Sequence, residues 1–82
     1  MKIHYCAMFD GFEMSYHGEF EVTATHKQIQ ANIPRVTSVA IGKCKEKCEQ
    51  AFNIKFETMR YFEVYYYHEK KEVLIFKKVK EV

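Results

Sequence analysis

The chain lacks most of the features by which a short sequence announces a reaction. It has one aspartate, Asp10, and no glycine-rich phosphate loop, Gly-x-Ser-x-Gly elbow or His-Glu-x-x-His motif; its glutamates are scattered among lysines and its four histidines lie in unrelated segments. No nucleophile stands beside a base in this pattern and no two carboxylates sit in opposed environments, so a non-enzymatic protein is expected. Cysteine is scarce and odd in number. Cys6, Cys44 and Cys48 cannot supply the disulfide framework with which small secreted domains compensate for a thin core, and a reducing, cytoplasmic setting is expected. No apolar run approaches the ~20 residues of a bilayer span, and the N-terminus alternates where a signal peptide would be continuously apolar, so no membrane role is expected. Charge of one sign is also wanting. The net +2 divides into −1 over the first 40 residues and +3 over the rest, too slight to imply nucleic acid by itself.

What is present fits a folded domain: 48% apolar and 29% charged residues, with no repeat, low-complexity stretch or linker to divide positions 1–82. A chain this short buries only about two thirds of the surface its unfolded form exposes, so one helix layer on one sheet is the natural architecture.

The stretch from Phe56 to Tyr67 is rich in aromatic and β-branched residues and free of Gly and Pro, and reads as the central strand. Lys2 to Phe9 alternates, with Ile3, Tyr5, Ala7 and Phe9 on one side and His4, Cys6 and Met8 on the other. Asp10-Gly11 carries the signal of a two-residue type I′ hairpin, after which Phe12, Met14 and Tyr16 alternate. His17-Gly18 is open to two readings, a second turn or a bulge in one long strand, with alternation continuing through Phe20, Val22 and Ala24. Thr25 and Gln28 have capping-box spacing, but the residues 26–31 are few and mostly polar, which predicts a connection. Asn32 is a good N-cap and Pro34 suits a first turn; Ile33, Val36, Ala40, Cys44, Cys48 and Phe52 then recur at helical spacing, predicting one amphipathic helix over 33–52. Gly42 within it costs on the order of 1 kcal/mol against Ala and allows a start near Ser38 or a kink at Gly42; Asn53 closes the helix. His68 to Lys71 is a charged turn, and Val73 to Lys80 a last strand whose lysines suit a sheet edge. The expected fold is α+β: a mostly antiparallel sheet of four or five strands with one amphipathic helix on one face, in the order β-β-(β)-α-β-β. Slipping the last hairpin by one residue would exchange Leu74 and Phe76 for Val73 and Ile75 in the core.

Three constellations bear on function. His4 and Cys6 on a strand, with Cys44 and Cys48 on a helix, are four nominal zinc ligands. With one helix covering one face, however, the first pair looks away from the second, so no metal or other cofactor is expected and Cys44 and Cys48 read as small buried side chains. The odd positions of the aromatic strand, Met59, Tyr61, Tyr65 and Tyr67 with Glu57 and Glu63, face away from the helix and offer the rigid amphipathic surface that binding interfaces use. Lys77, Lys78 and Lys80 beside Phe76 are the one basic cluster near aromatic residues, the ingredients of a surface for single-stranded RNA or DNA, though no RNP-type signature accompanies them.

The expected function is therefore non-enzymatic binding of a macromolecule through the open sheet face, a protein in the first place and single-stranded nucleic acid as the alternative; a homodimer through the sheet face or edge is a further arrangement of the same surface. In type, though on no matched residue, such a chain is similar to the small inhibitors that phages encode against host enzymes or defence systems.

Overall fold

A computed structural model describes residues 1–11, 13–51 and 53–80, with the side chain of Ala51 left aside. Four strands form one antiparallel sheet in the order β2-β1-β3-β4: β1 (Lys2–Phe9), β2 (Tyr16–Glu21), β3 (Met59–His68) and β4 (Lys71–Val79). Two helices, α1 (His26–Ala31) and α2 (Ile33–Ala51), connect β2 to β3. The fold is α+β, and the aromatic strand is internal. β3 begins three residues later than its composition suggests, because Phe56–Thr58 forms a 3-10 turn held to β1 by Asp10 N–H bonding the Thr58 carbonyl at 2.8 Å.

Alternation decides which side of each strand is buried. Ile3, Tyr5, Ala7 and Phe9 of β1 and Phe62, Val64 and Tyr66 of β3 face the helices and are almost wholly buried. Against them α2 sets Ala40, Cys44 and Cys48, all fully buried, with Ile33 and Val36 half-buried and Lys45 and Glu49 exposed. The sixth position of that helical face, Phe52, lies outside the described residues, as does Phe12. Periodicity alone did not single out Ile29 of α1, buried in the same core, or Thr37 of α2.

The residues 26–31 are helical after all. Thr25 Oγ1 accepts from Gln28 N–H while Thr25 N–H donates to the Gln28 side chain, so the capping box closes and Ile29 gains a core contact that a short helix in water would not have. Asn32 then serves the preceding helix with its side chain: Nδ2 donates to the Gln28 carbonyl, while its own carbonyl accepts Val36 N–H to start α2. At the far end Asn53 takes the left-handed conformation (φ 52°), and Ile54 N–H returns to the Cys48 carbonyl. The sheet is tied to α1 by Tyr66, whose hydroxyl accepts from Gln30 Nε2 (2.8 Å) and lies 2.6 Å from His26 Nδ1; His26 in turn stacks on His68.

Turn chemistry departs from expectation at the first hairpin and follows it at the second, where the charged segment 68–71 turns. Only Gly11 of the Asp10-Gly11 pair has positive φ, so no type I′ turn forms, and the chain does not re-enter the sheet until Tyr16. The His17-Gly18 ambiguity resolves into one strand in which Gly18 pairs with Tyr5, and the strand ends before Val22 and Ala24. The β3–β4 hairpin instead carries the two-residue turn, on Glu69 (φ 51°) and Lys70 (φ 65°), neither of them a glycine.

Tyr5 explains why position 18 is glycine. A Cβ there would overlap the Cζ and Oη atoms of that ring, which is itself locked in the core. Gly18→Ala should therefore destabilise the protein by roughly 1–3 kcal/mol through overpacking. Gly42, with nothing near a prospective Cβ, sits in an unbroken helix, and Gly42→Ala should stabilise by about 0.5–1 kcal/mol. Urea unfolding of the two variants checks both signs; equal effects would contradict the placement of both residues. Replacing Glu69-Lys70 by Asn-Gly should add about 1 kcal/mol by relieving two left-handed non-glycine residues, read as a higher melting temperature.

Candidate interaction face

The face of the sheet turned away from the helices is built by His17, Glu19 and Glu21 of β2, Lys2, His4, Cys6 and Met8 of β1, and Tyr61, Glu63, Tyr65 and Tyr67 of β3, as the strand register dictates. β4 contributes to it in an unexpected way. Val64 pairs with Phe76 but Tyr65 pairs with Leu74, so Ile75 is an extra residue in a β-bulge. Neither simple register of the last hairpin is realised: Val73, Ile75 and Phe76 all pack on the core, while Leu74, Lys77 and Val79 turn to the open face.

The rings on this face are mutually packed. His4 stacks on Tyr65 with centroids 5.3 Å apart and planes at 14°, and meets Tyr67 edge-on at 5.5 Å; Tyr65 and Tyr67 are edge-to-face at 5.9 Å. Tyr61 Oη donates to Glu63 at 2.8 Å and Lys77 Nζ lies 5.7 Å from the centre of the Tyr61 ring. Toward the β2 edge, Glu19 pairs with Lys2 and lies 3.6 Å from His4 Nδ1. Three apolar or amphipathic side chains at the other edge remain largely open: Tyr67 at 52%, Leu74 at 51% and Val79 at 57% exposure.

Of the residues the sequence placed on this face, Tyr61, Tyr65 and Tyr67 are there. Met59 is not. A second bulge, between Met8 and Phe9, sets Met59 opposite the buried Phe9, and it packs against the core. The lysine cluster is split by the sheet: Lys77, opposite Glu63, stands on the open face, whereas Lys78 lies opposite the core residue Phe62 and Lys80 N–H bonds the Arg60 carbonyl. His4, Leu74 and Val79 join the tyrosines without having been singled out. The alternation of β1 put His4 on the right side, but nothing in the local sequence marks the bulge that turns Val79 outward.

The nominal zinc ligands are divided in the same way. His4 and Cys6 are on the open face, while Cys44 and Cys48, their sulfurs 3.8 Å apart, are inside the core beneath α2. Among the described residues no three His, Cys, Asp or Glu side chains gather around a common point. All three thiols are pushed up from their ordinary pKa by burial, Cys6 further by Glu63 and Cys44 by Cys48, which is the reverse of what a nucleophilic thiolate requires. No protein-family model, curated protein or solved structure matches the chain. Among the described residues no helix is long and apolar enough to cross a membrane.

The Tyr61 phenol is pushed up to about 12, first by the hydrogen bond it gives Glu63, then by burial and by the Glu63 charge. A proton held more tightly in the folded state stabilises the fold fully below the ordinary phenol pKa of about 10, and that contribution is lost as pH rises through 12. Ultraviolet titration of the phenolates should show Glu63→Gln moving one tyrosine to lower pH, with alkaline unfolding beginning earlier. An unchanged titration curve would mean that the Tyr61–Glu63 bond does not form in solution.

Proposed function

We propose that this protein is a non-enzymatic binding module whose working surface is the open sheet face, and that its partner is a protein presenting an apolar centre with a basic rim. The observation that carries this reading is the charge of the face. Lys2, Lys77 and the Met1 ammonium, 3.4 Å from Glu21, stand there against Glu19, Glu21, Glu63 and Glu72, a remaining surplus of carboxylate that disfavours a phosphate backbone and favours the opposite sign. At the β3–β4 side Tyr65, Tyr67, Leu74 and Val79 supply amphipathic area of the kind that forms interface anchors, and the mutual packing of His4, Tyr65 and Tyr67 lowers the entropy lost when they are covered. Burial raises all three thiols, Cys6 included although its sulfur lies 3.9 Å from His17 Nε2, which supports a role by occlusion and not by reaction. An inhibitor of an enzyme or defence system, of the type phages encode, would use such a face by covering a site on its target.

Single-stranded nucleic acid is less well served. The lysines that would follow its backbone are on opposite sides of the sheet, so the tyrosines and Lys78 cannot contact one strand together.

The test uses the partner co-purified with the tagged chain. Tyr65→Ala and Tyr67→Ala should each weaken that complex by about 2 kcal/mol, roughly thirtyfold, without lowering the melting temperature much, and binding should respond modestly to salt. Titration with short single-stranded RNA and DNA at two salt concentrations is the counter-test. Micromolar binding abolished by salt would overturn the protein reading, and an unaltered complex after both substitutions would remove the open face as its seat. Sedimentation shows whether the partner is a second copy of the chain.

A further inference from the structure

A second surface lies where β3 begins and β4 ends, separate from the Tyr65–Tyr67–Leu74 patch. Arg60, Lys78 and Lys80 line one hollow of about 330 Å³ together with Phe56, Glu57, Met59 and Tyr61. The convergence is a product of the β4 bulge. With simple alternation from the Tyr66–Val73 pair, Lys77 would fall opposite Phe62 and Lys78 opposite Tyr61; the extra residue Ile75 advances the strand by one, bringing Lys78 opposite Phe62. The bond from Lys80 N–H to the Arg60 carbonyl (2.9 Å) then sets Arg60 beside Lys80, and the 3-10 turn Phe56–Thr58 folds Phe56 over the same end of the sheet.

The electrostatics of the hollow are uneven. Lys80 is 3.9 Å from Asp10, but among the described residues neither Arg60 nor Lys78 has a carboxylate partner, and Glu57 is the one acid in the lining. A guanidinium and an ammonium left unpaired beside a half-buried aromatic ring and a thioether make a site for an anion attached to a flat apolar body. Size discriminates further: the hollow is far larger than a bare phosphate ion and falls in the range of small-molecule sites, about 300–1,000 Å³. We propose that this hollow binds a nucleoside monophosphate, its phosphate held by Arg60 and Lys78 with Lys80 in support, and its base laid against Phe56. Tyr61 borders both surfaces, but the assignment does not depend on the open-face reading, since the Tyr65, Tyr67 and Leu74 side chains take no part in it.

Adenosine 5′-monophosphate is the probe, added to the isotopically labelled full chain and followed by amide NMR and calorimetry. Binding at or below about 1 mM is expected, with shifts concentrated at 56–61 and 78–80, and with adenosine and inorganic phosphate each about tenfold weaker. The neighbouring lysines provide the sharpest comparison. Lys78→Gln and Arg60→Gln should each weaken binding about fivefold or more, whereas Lys77→Gln, outside the lining and touching only the Tyr61 ring, should change it less than about twofold. Phe56→Ala tests the base contact, and Phe56→Leu, which keeps the apolar bulk, separates loss of stacking from loss of fold; both should weaken the monophosphate more than inorganic phosphate. No shifts at millimolar probe, equal affinity for inorganic phosphate, equal loss in Lys77→Gln and Lys78→Gln, or tighter binding of an oligonucleotide through the Tyr65–Tyr67 face would each overturn the assignment. Tyr65→Ala losing its protein partner while still binding the monophosphate would leave this site standing and confirm that the two surfaces are separate.

Discussion

Burial of one face of β3 and β1 beneath α2 is the contact on which the rest of the molecule depends. Phe62, Val64 and Tyr66 from one strand and Ile3, Tyr5 and Phe9 from the other are wholly withdrawn from water against Ala40, Cys44 and Cys48, and both helices lie on that one side, so among the described residues no layer covers the opposite face. The open face therefore follows from the same event that makes the core. Because side chains alternate strictly, every residue given to the helix side sends its neighbours to the solvent side, and the tyrosine surface is the complement of the hydrophobic one.

Small departures from that alternation have large local effects. The bulge at Ile75 lets Val73, Ile75 and Phe76 all reach the core, and relative to the Tyr66–Val73 register it turns Lys77 and Val79 to the open face and Lys78 to the helix side. The bulge between Met8 and Phe9 likewise removes Met59 from the open face. Both lie in antiparallel pairs of β3, so the strand that anchors the core also decides the composition of the two surfaces. Gly18 plays a related part at the β2 edge, where the missing side chain admits the Tyr5 ring that a neighbouring Cβ would exclude.

Of the polar side chains drawn into this packing Tyr66 is provided for, while Thr37 Oγ1 has no hydrogen-bond partner among the described residues. Tyr66, the largest buried side chain of β3 together with Phe62, places its hydroxyl between Gln30 and His26, so the bond that satisfies it also fastens α1 to the sheet. The capping box at Thr25 and the Asn32 side chain close the two ends of α1, which is how so short a helix persists. The tertiary contact of Ile29 supplies what local propensity lacks.

The sequence by itself determined the α+β class, the central aromatic strand, the buried face of α2 and the side of β3 on which the three tyrosines stand. Each of these rests on a periodicity, two residues for a strand and nearly four for a helix pair, and periodicity is a property of the chain taken alone. The helix at 26–31 was half legible: its capping residues were visible, but the burial of Ile29 that makes the helix worth forming was not. Only the tertiary structure decided the two bulges, the face on which each lysine of β4 falls, the return of Arg60 to Lys80 and the stacking of His4 on Tyr65. A bulge changes the number of residues on one strand relative to its partner, and what favours it is the fit of Val73, Ile75 and Phe76 beneath a helix distant in sequence. That fit depends on three dimensions of packing, to which no stretch of the sequence is privately subject.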